Sequence, residues 1–187
     1  MSYAFIVVDM LKGSFTNPDA PLTKEARKII PVIQTLLERA RTKGFPVIYA
    51  CDSFLRGDFI FKGRMREHAI RGTEEVEVIP ELAPRPGDTI LEKRRFSAFF
   101  KTDLDQTLRL WNIETVIVMG VTTHVCVLTT ALDAIAHDFA CTIVADGCCC
   151  HKPEIHEGVL RAYRYSALHP LLRVLPSSEI IEECLDG

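Results

Sequence analysis

With 187 residues the chain can bury a sizeable core, and one domain over 1–187 is the expectation. Apolar residues make up 48% and charged residues 25%, and a formal charge of −3 leaves no basic surplus for nucleic acid or anionic lipid. No apolar run approaches the roughly 18 residues of a membrane helix, and the N-terminus reads as a strand and not as a signal peptide.

Tyr3–Val8 is a short β-branched apolar run ending at Asp9, the pattern of a buried strand. Over Lys24–Lys43, Ile29, Ile30, Val32, Ile33, Leu36, Leu37 and Ala40 recur at helical spacing. Thr23 can cap this helix, and Gly44 suits the left-handed residue that closes it. Pro31 falls inside the pattern, where a kink is expected. Pro46–Cys51 reads as a second strand ending at Asp52. From Ser53 to Asp88 the chain is polar, rich in Gly and Arg and weakly periodic; a loop of that length is expected to wall or cover a site. Thr89–Glu92 is a third strand running into Lys93, and Thr102–Leu110 a helix capped by Thr102. Thr115–Met119 is a fourth strand stopped by Gly120, followed by a helix over Thr123–His137. Cys141–Ala145, Glu154–Ser166, Leu171–Leu175 and Ser177–Leu185 follow as strand, helix, strand and helix. Strands alternating with amphipathic helices predict right-handed crossovers. The expected fold is α/β and three-layered, an open six-stranded, mostly parallel sheet with helices on both faces.

The seven cysteines, Cys51, Cys126, Cys141, Cys148, Cys149, Cys150 and Cys184, are odd in number and contain no Cys-x-x-Cys pair. Free thiols in the cytoplasm are expected, and the commonest zinc and dithiol patterns are absent. The neighbours Cys148, Cys149 and Cys150 cannot bridge one another with relaxed geometry, so a structural role is expected for them.

Ligands of an open α/β sheet bind beyond the carboxyl ends of its strands. Asp9, Asp52 and Lys93 stand at the first three strand ends, and Cys126 falls in the first turn of the helix after the fourth. Free N–H groups and the helix dipole in that turn favour a thiolate and can hold an oxyanion. Asp9 can take the thiol proton and return it to a leaving amine, while Lys93 holds the developing charge. Each residue alone has a blander reading: a helix cysteine is usually core, a strand-end Asp a cap, a lone Lys a solvated charge. Their arrival at one sheet edge favours Asp9, Lys93 and Cys126 as a catalytic unit. His124, two positions from Cys126 on a helix, faces elsewhere and is not expected to be a base.

Three segments carry a resemblance. Ile6-Val7-Val8-Asp9-Met10, the run from Glu92 and Lys93 through Phe96 and Phe99 to Leu104, and Gly120-Val121-Thr122-Thr123-His124-Val125-Cys126-Val127 resemble the motif blocks of isochorismatase-like cysteine hydrolases, in order and spacing. That family includes nicotinamidases and N-carbamoylsarcosine amidohydrolases, and the similarity spans nearly the whole chain. The resemblance implies a Cys126–Asp9–Lys93 triad, a cis peptide at Val121–Thr122, and an oxyanion hole from the N–H groups of Thr122 and Cys126. Isochorismatases proper, which cleave a vinyl ether, lack the cysteine. Cys126 therefore points to cleavage of a carbon–nitrogen bond in a small non-peptide amide or carbamoyl compound, through a thioester and with no organic cofactor.

The departures matter too. Nicotinamidases bind a metal through an Asp-x-His pair after the second strand and a further His beyond it. Here Asp52-Ser53-Phe54 lacks the first His, and His68 is offered for the second. One carboxylate and one imidazole fall short of the three protein ligands of a catalytic zinc, so no metal is expected. Asp52 and His68 are read as a hydrogen-bonded pair at the pocket wall, or as unrelated. Phe54, His68, Phe99 and Val121 are the candidate substrate-binding residues. The density of Arg56, Lys62, Arg64, Arg66, Arg94 and Arg95 makes an anionic substrate group a reading to test. A homo-oligomer acting on a small molecule, with no nucleic-acid or membrane partner, is expected. The rivals are a metal-assisted nicotinamidase and a thiol-based redox or regulatory protein built on Cys148, Cys149 and Cys150.

Overall fold

A computed structural model describes residues 2–185. Strands β1 (Tyr3–Val8), β2 (Val47–Asp52), β3 (Thr89–Lys93), β4 (Thr115–Val121), β5 (Ala140–Cys149) and β6 (Leu172–Leu175) form a sheet in the order β3-β2-β1-β4-β5-β6. Every neighbouring pair in it is parallel. Strands covered on both faces need continuous apolar runs, and Ala4–Val8 and Val116–Met119 are such runs, buried throughout.

The helices are α1 (Pro21–Thr42), α2 (Leu104–Leu110), α3 (Leu128–Ala136), α4 (Pro153–Arg164) and α5 (Ser177–Ile180). From β1 the chain moves to one edge through β2 and β3, then restarts at β4 and moves to the other edge. Right-handed crossovers taken in opposite directions set α1 on one face and α3 and α4 on the other. The direction reverses between β1 and β4, and that switch point is where a doubly wound sheet opens a crevice at its carboxyl edge. Among the described residues no helix is long and apolar enough to cross a membrane.

Helix α1 begins at Pro21, earlier than the pattern predicted, because proline is preset for a first helical position and needs no N–H there. Thr23 is therefore inside the helix and not its cap. Its buried hydroxyl donates to the Ser14 carbonyl at 2.9 Å and ties the short turn Lys12–Phe15 to α1. Ile29, Ile30, Ile33, Leu36, Leu37 and Ala40 form the buried stripe, and Gly44 takes the left-handed φ of 74° after the helix. Strand β5 runs to Cys149, beyond the expected Ala145. Between the pairs Val118–Ile143 and Gly120–Cys148 the register shifts, with one residue on β4 against four on β5. The polar Asp146-Gly147 step breaks the apolar run at this bulge, so the continuation is invisible to hydrophobic pattern.

Gly120 explains how closely β4 can approach β1. A Cβ there would lie 2.1 Å from the Val8 carbonyl oxygen, and its φ is 117°, so only glycine fits. This brings the end of β4 against the residue before Asp9.

Candidate active site

Four side chains meet at the switch point. Asp9 follows β1 in the left-handed region, φ 52°, which Asp tolerates better than most residues. Its backbone N–H donates to the Ala50 carbonyl at 3.0 Å. One carboxylate oxygen of Asp9 accepts the Asp52 N–H at 2.8 Å, and the other accepts the Lys93 ammonium at 2.8 Å. Asp52 and Lys93 end β2 and β3 in register with each other, and the ammonium also donates to the Asp52 carboxylate. The Lys93 side chain is wholly buried, with its ammonium held by these two carboxyl groups. The Cys126 sulfur, an Asp9 oxygen and an Asp52 oxygen all lie within 4.8 Å of one another.

Cys126 stands in a π-helical turn, Thr123–Val127, that leads into α3. The sequence pattern predicted a regular helix here. The Thr122 carbonyl accepts the Val125 N–H at 3.1 Å and the Val127 N–H at 3.3 Å, two bonds that bracket Cys126. Widened turns of this kind are frequent at functional sites because they redirect one side chain and its amide. The Val121–Thr122 peptide is cis.

The electrostatics correct one expectation. A thiolate favoured by a helix terminus was predicted for Cys126, but the thiol is pushed well above its ordinary value. Burial is the largest cause, followed by the Asp9 charge, while Lys93 pulls the other way. The dipole of one short turn is outweighed by loss of solvent and a facing carboxylate. The Asp52 carboxyl is pushed up to about 8, first by burial and then by the Asp9 charge. Burial lowers the Lys93 ammonium, but Asp9, Cys126 and Asp52 more than offset it and hold it above its ordinary value.

A cavity of about 360 Å³ opens over this cluster, lined at its base by Asp9, Asp52, Thr122 and Cys126. Of the expected substrate-binding residues, His68 and Val121 line it. Phe54 is fully buried behind the wall with its ring edge-on to Phe61 and His68, and Phe99 stacks on His137. Both are core residues, and Phe96 is the aromatic in the wall. None of the six clustered cations lines the cavity. Arg94 instead clamps Asp58, with contacts of 2.6 and 3.1 Å, while Asp58 also accepts the Leu55 N–H at 2.9 Å. The bond from Arg94 and the Leu55 N–H hold the Asp58 carboxyl down at about 2.

Ser14, Thr16 and Asn17 also line the cavity and were not singled out from the sequence. The signal available was their place directly after β1, on the carboxyl edge where ligands bind. His124 does not line it; its ring lies 5.8 Å from that of His151. Asp52 and His68 do not pair as expected: Asp52 is turned to Lys93, and His68 Nδ1 donates to the Arg66 carbonyl at 3.0 Å. Cys148, Cys149 and Cys150 are free, buried thiols; burial pushes Cys149 up to about 12 and raises Cys148 as well. A redox role needs accessible thiolates, which this burial denies.

The donors do not fit a metal ion. Asp9, Asp52 and Cys126 are the one clustered set among the described residues, and the cation in their midst is the Lys93 ammonium. Phe54 offers no donor where a nicotinamidase-type pair would carry histidine.

A parallel sheet whose switch point carries a thiol, an ammonium and two carboxylates is the architecture of an α/β enzyme. The chain belongs to the isochorismatase family: the isochorismatase domain matches residues 3–173. It is similar to an uncharacterised isochorismatase family protein, YaaI of Bacillus subtilis, 30% identical over 157 residues, 84% of this chain and 86% of that one. Among solved structures, an isochorismatase-like hydrolase from Alkaliphilus metalliredigens superposes with a TM-score of 0.86 at 32% identity, covering 97% of this chain and 98% of the other. The N-carbamoylsarcosine amidase of Thermoplasma acidophilum gives 0.82 at 30% identity, covering 95% and 97%.

Proposed function

We propose that this chain is an amidohydrolase that cleaves the carbon–nitrogen bond of a small, non-peptide amide or carbamoyl compound, with Cys126 as nucleophile. The observation that carries the reading is the Cys126 sulfur, in the cavity wall and within 4.8 Å of an Asp9 carboxylate that Lys93 holds in place. The similarity to an N-carbamoylsarcosine amidase supports the bond class.

In this mechanism the thiol proton passes to Asp9 as sulfur attacks the carbonyl carbon. The carbonyl electrons move to oxygen, where the N–H groups of Thr122 and Cys126 receive the charge. The tetrahedral adduct collapses, the C–N bond breaks, and ammonia or an amine leaves with the proton from Asp9. Water then adds to the thioester, giving its proton to Asp9, and sulfur departs and recovers that proton. Lys93 stays charged throughout and offsets whichever of Asp9 and Cys126 is the anion.

The test is an ammonia-release screen over primary amides and N-carbamoyl compounds, comparing the wild type with Cys126→Ala, each with and without chelator. A substrate turned over by the wild type with or without chelator, and by a folded Cys126→Ala not at all, is the expected result. Retention of more than a few per cent of the rate by Cys126→Ala would remove the nucleophile assignment. Loss on chelation restored by zinc would replace the reading with a metal-assisted nicotinamidase.

A further inference from the structure

The proposed reaction uses Asp9, Lys93 and Cys126 and leaves Asp52 without a task, although Asp52 is 6% exposed and donates or accepts only within the same cluster. A carboxylate kept in such a place has to be compensated or protonated. We infer that Asp52 is a positioning residue that works as a carboxylic acid: it and Asp9 share one proton, held on Asp52, so that the buried cluster stays electrically neutral while Cys126 is ionised. The inference rests on the proposed role of Asp9 as the base.

Donor geometry decides where that proton sits. Asp9 accepts two donors, the Asp52 N–H and the Lys93 ammonium, one on each oxygen. Two donors stabilise a carboxylate more than one does. Asp52 has the Lys93 ammonium as its donor, and a carboxyl oxygen of it lies within 4.8 Å of one of Asp9. Two buried carboxyls this close do not both ionise readily. The rise of Asp52 to about 8 agrees with this. The groups facing Asp52 are Asp9 beyond β1, Lys93 on β3, Cys126 in the π turn, Cys51 beside it on β2 and His68 across the cavity.

The charge count gives the consequence. With Asp52 protonated, the resting cluster holds one ammonium and one carboxylate. Transfer of the thiol proton to Asp9 gives one ammonium and one thiolate, so the sum is zero before and after. With Asp52 ionised, both states carry an uncompensated negative charge, and a thiolate must form beside it. Activity should therefore fall as pH rises through the ionisation of Asp52. Lys93, held above its ordinary value, does not account for a fall near neutrality.

Asp52→Asn keeps an oxygen for Lys93 and an N–H for Asp9, and so copies the protonated state. In kcat/KM against pH, the wild type should show an alkaline limb near pH 8. Asp52→Asn should stay within the roughly 10²-fold that loss of an acid–base group costs, with that limb moved upward. An unmoved limb, or loss of activity at every pH, would overturn the inference. Infrared spectra of the wild type give a readout independent of turnover and of the variant's folding: a carboxylic-acid C=O band should be present at about pH 6 and disappear near pH 8. Absence of that band overturns the proton store whatever the enzyme hydrolyses. A band that titrates as expected, in a protein inactive on every amide, supports it and tells against the proposed reaction.

Discussion

Replacing Lys93 by methionine tests the cluster most directly, because it removes a charge while nearly conserving volume. The Lys93 side chain is fully buried, and Asp9 and Asp52 beside it are each 6% exposed. Without the ammonium, two carboxyl groups with oxygens within 4.8 Å face each other. At an effective dielectric of about 20, full ionisation of both would cost about 3.5 kcal/mol in repulsion. The general cost of stripping one partner from a buried ion pair is about 3–5 kcal/mol. Against a typical stability of about 5–15 kcal/mol this is large but survivable. The carboxyls of the variant will hold protons more tightly than the unfolded chain does. A raised folded pKa gives stability that is present below the unfolded value, about 4, and lost as pH rises through the folded one. The difference from wild type in urea unfolding should therefore be near 3–5 kcal/mol at about pH 8 and smaller at about pH 5. A matched substitution at exposed Lys101 should stay within about 0.5 kcal/mol. A pH-independent difference, or one that grows on acidification, would refute the buried-charge account.

Two further outcomes follow from the same geometry. Asp9→Asn should lower kcat/KM on the amide found by the screen by about 10²–10⁴, and combining it with Lys93→Met should cost little more than the worse single change; multiplicative losses would mean the two act independently. Asp58→Asn should loosen the loop that carries Met65 and His68, raising KM more than it lowers kcat, and an unchanged KM would dismiss the clamp. Because the Asp58 carboxyl is held down at about 2, its stabilisation is present above about pH 4, its unfolded range, and is lost as pH falls through about 2. The variant should lack that acid limb in a thermal unfolding series.

The sheet was legible because parallel strands buried on both faces leave unbroken apolar runs, and the first three strands end at or just before Asp9, Asp52 and Lys93, residues that cannot be buried cheaply. Asp9, Asp52 and Lys93 could thus be placed at strand ends from pattern alone. What pattern could not give is distance across strands. Asp52 looked like half of a pair with His68, and only the β2–β3 register, Asp52 opposite Lys93, turns its carboxylate inward. The π turn was hidden for another reason: Thr123–Val127 carries the same apolar spacing as the helix it enters, and one extra residue per turn leaves no trace in a short segment. Phe54 and Phe99 were misread because aromatic residues near a site in sequence pack the core as readily as they wall a pocket. The β5 bulge lay beyond reach since Asp146 and Gly147 resemble the end of a strand.

The state of Cys126 decides how such a site must work. A thiol already ionised by a helix terminus would be reactive whenever the cavity was open. Here burial and the Asp9 carboxylate hold the proton on sulfur, and Lys93 does not outweigh them. In the mechanism we propose, the nucleophile would form only as its proton moves to Asp9, a transfer favourable only where an electrophilic carbon accepts the sulfur electrons at the same time. The neighbouring amide of Cys126, bracketed by the two bonds to the Thr122 carbonyl, lies in the turn that would receive the resulting oxyanion. Under that proposal activation and attack would be one event, with Lys93 supplying a fixed positive charge that need not reorganise as the negative charge passes between Asp9 and sulfur. The same burial that makes the resting thiol a poor nucleophile gives the ammonium its strength, because both follow from the removal of water around one cluster.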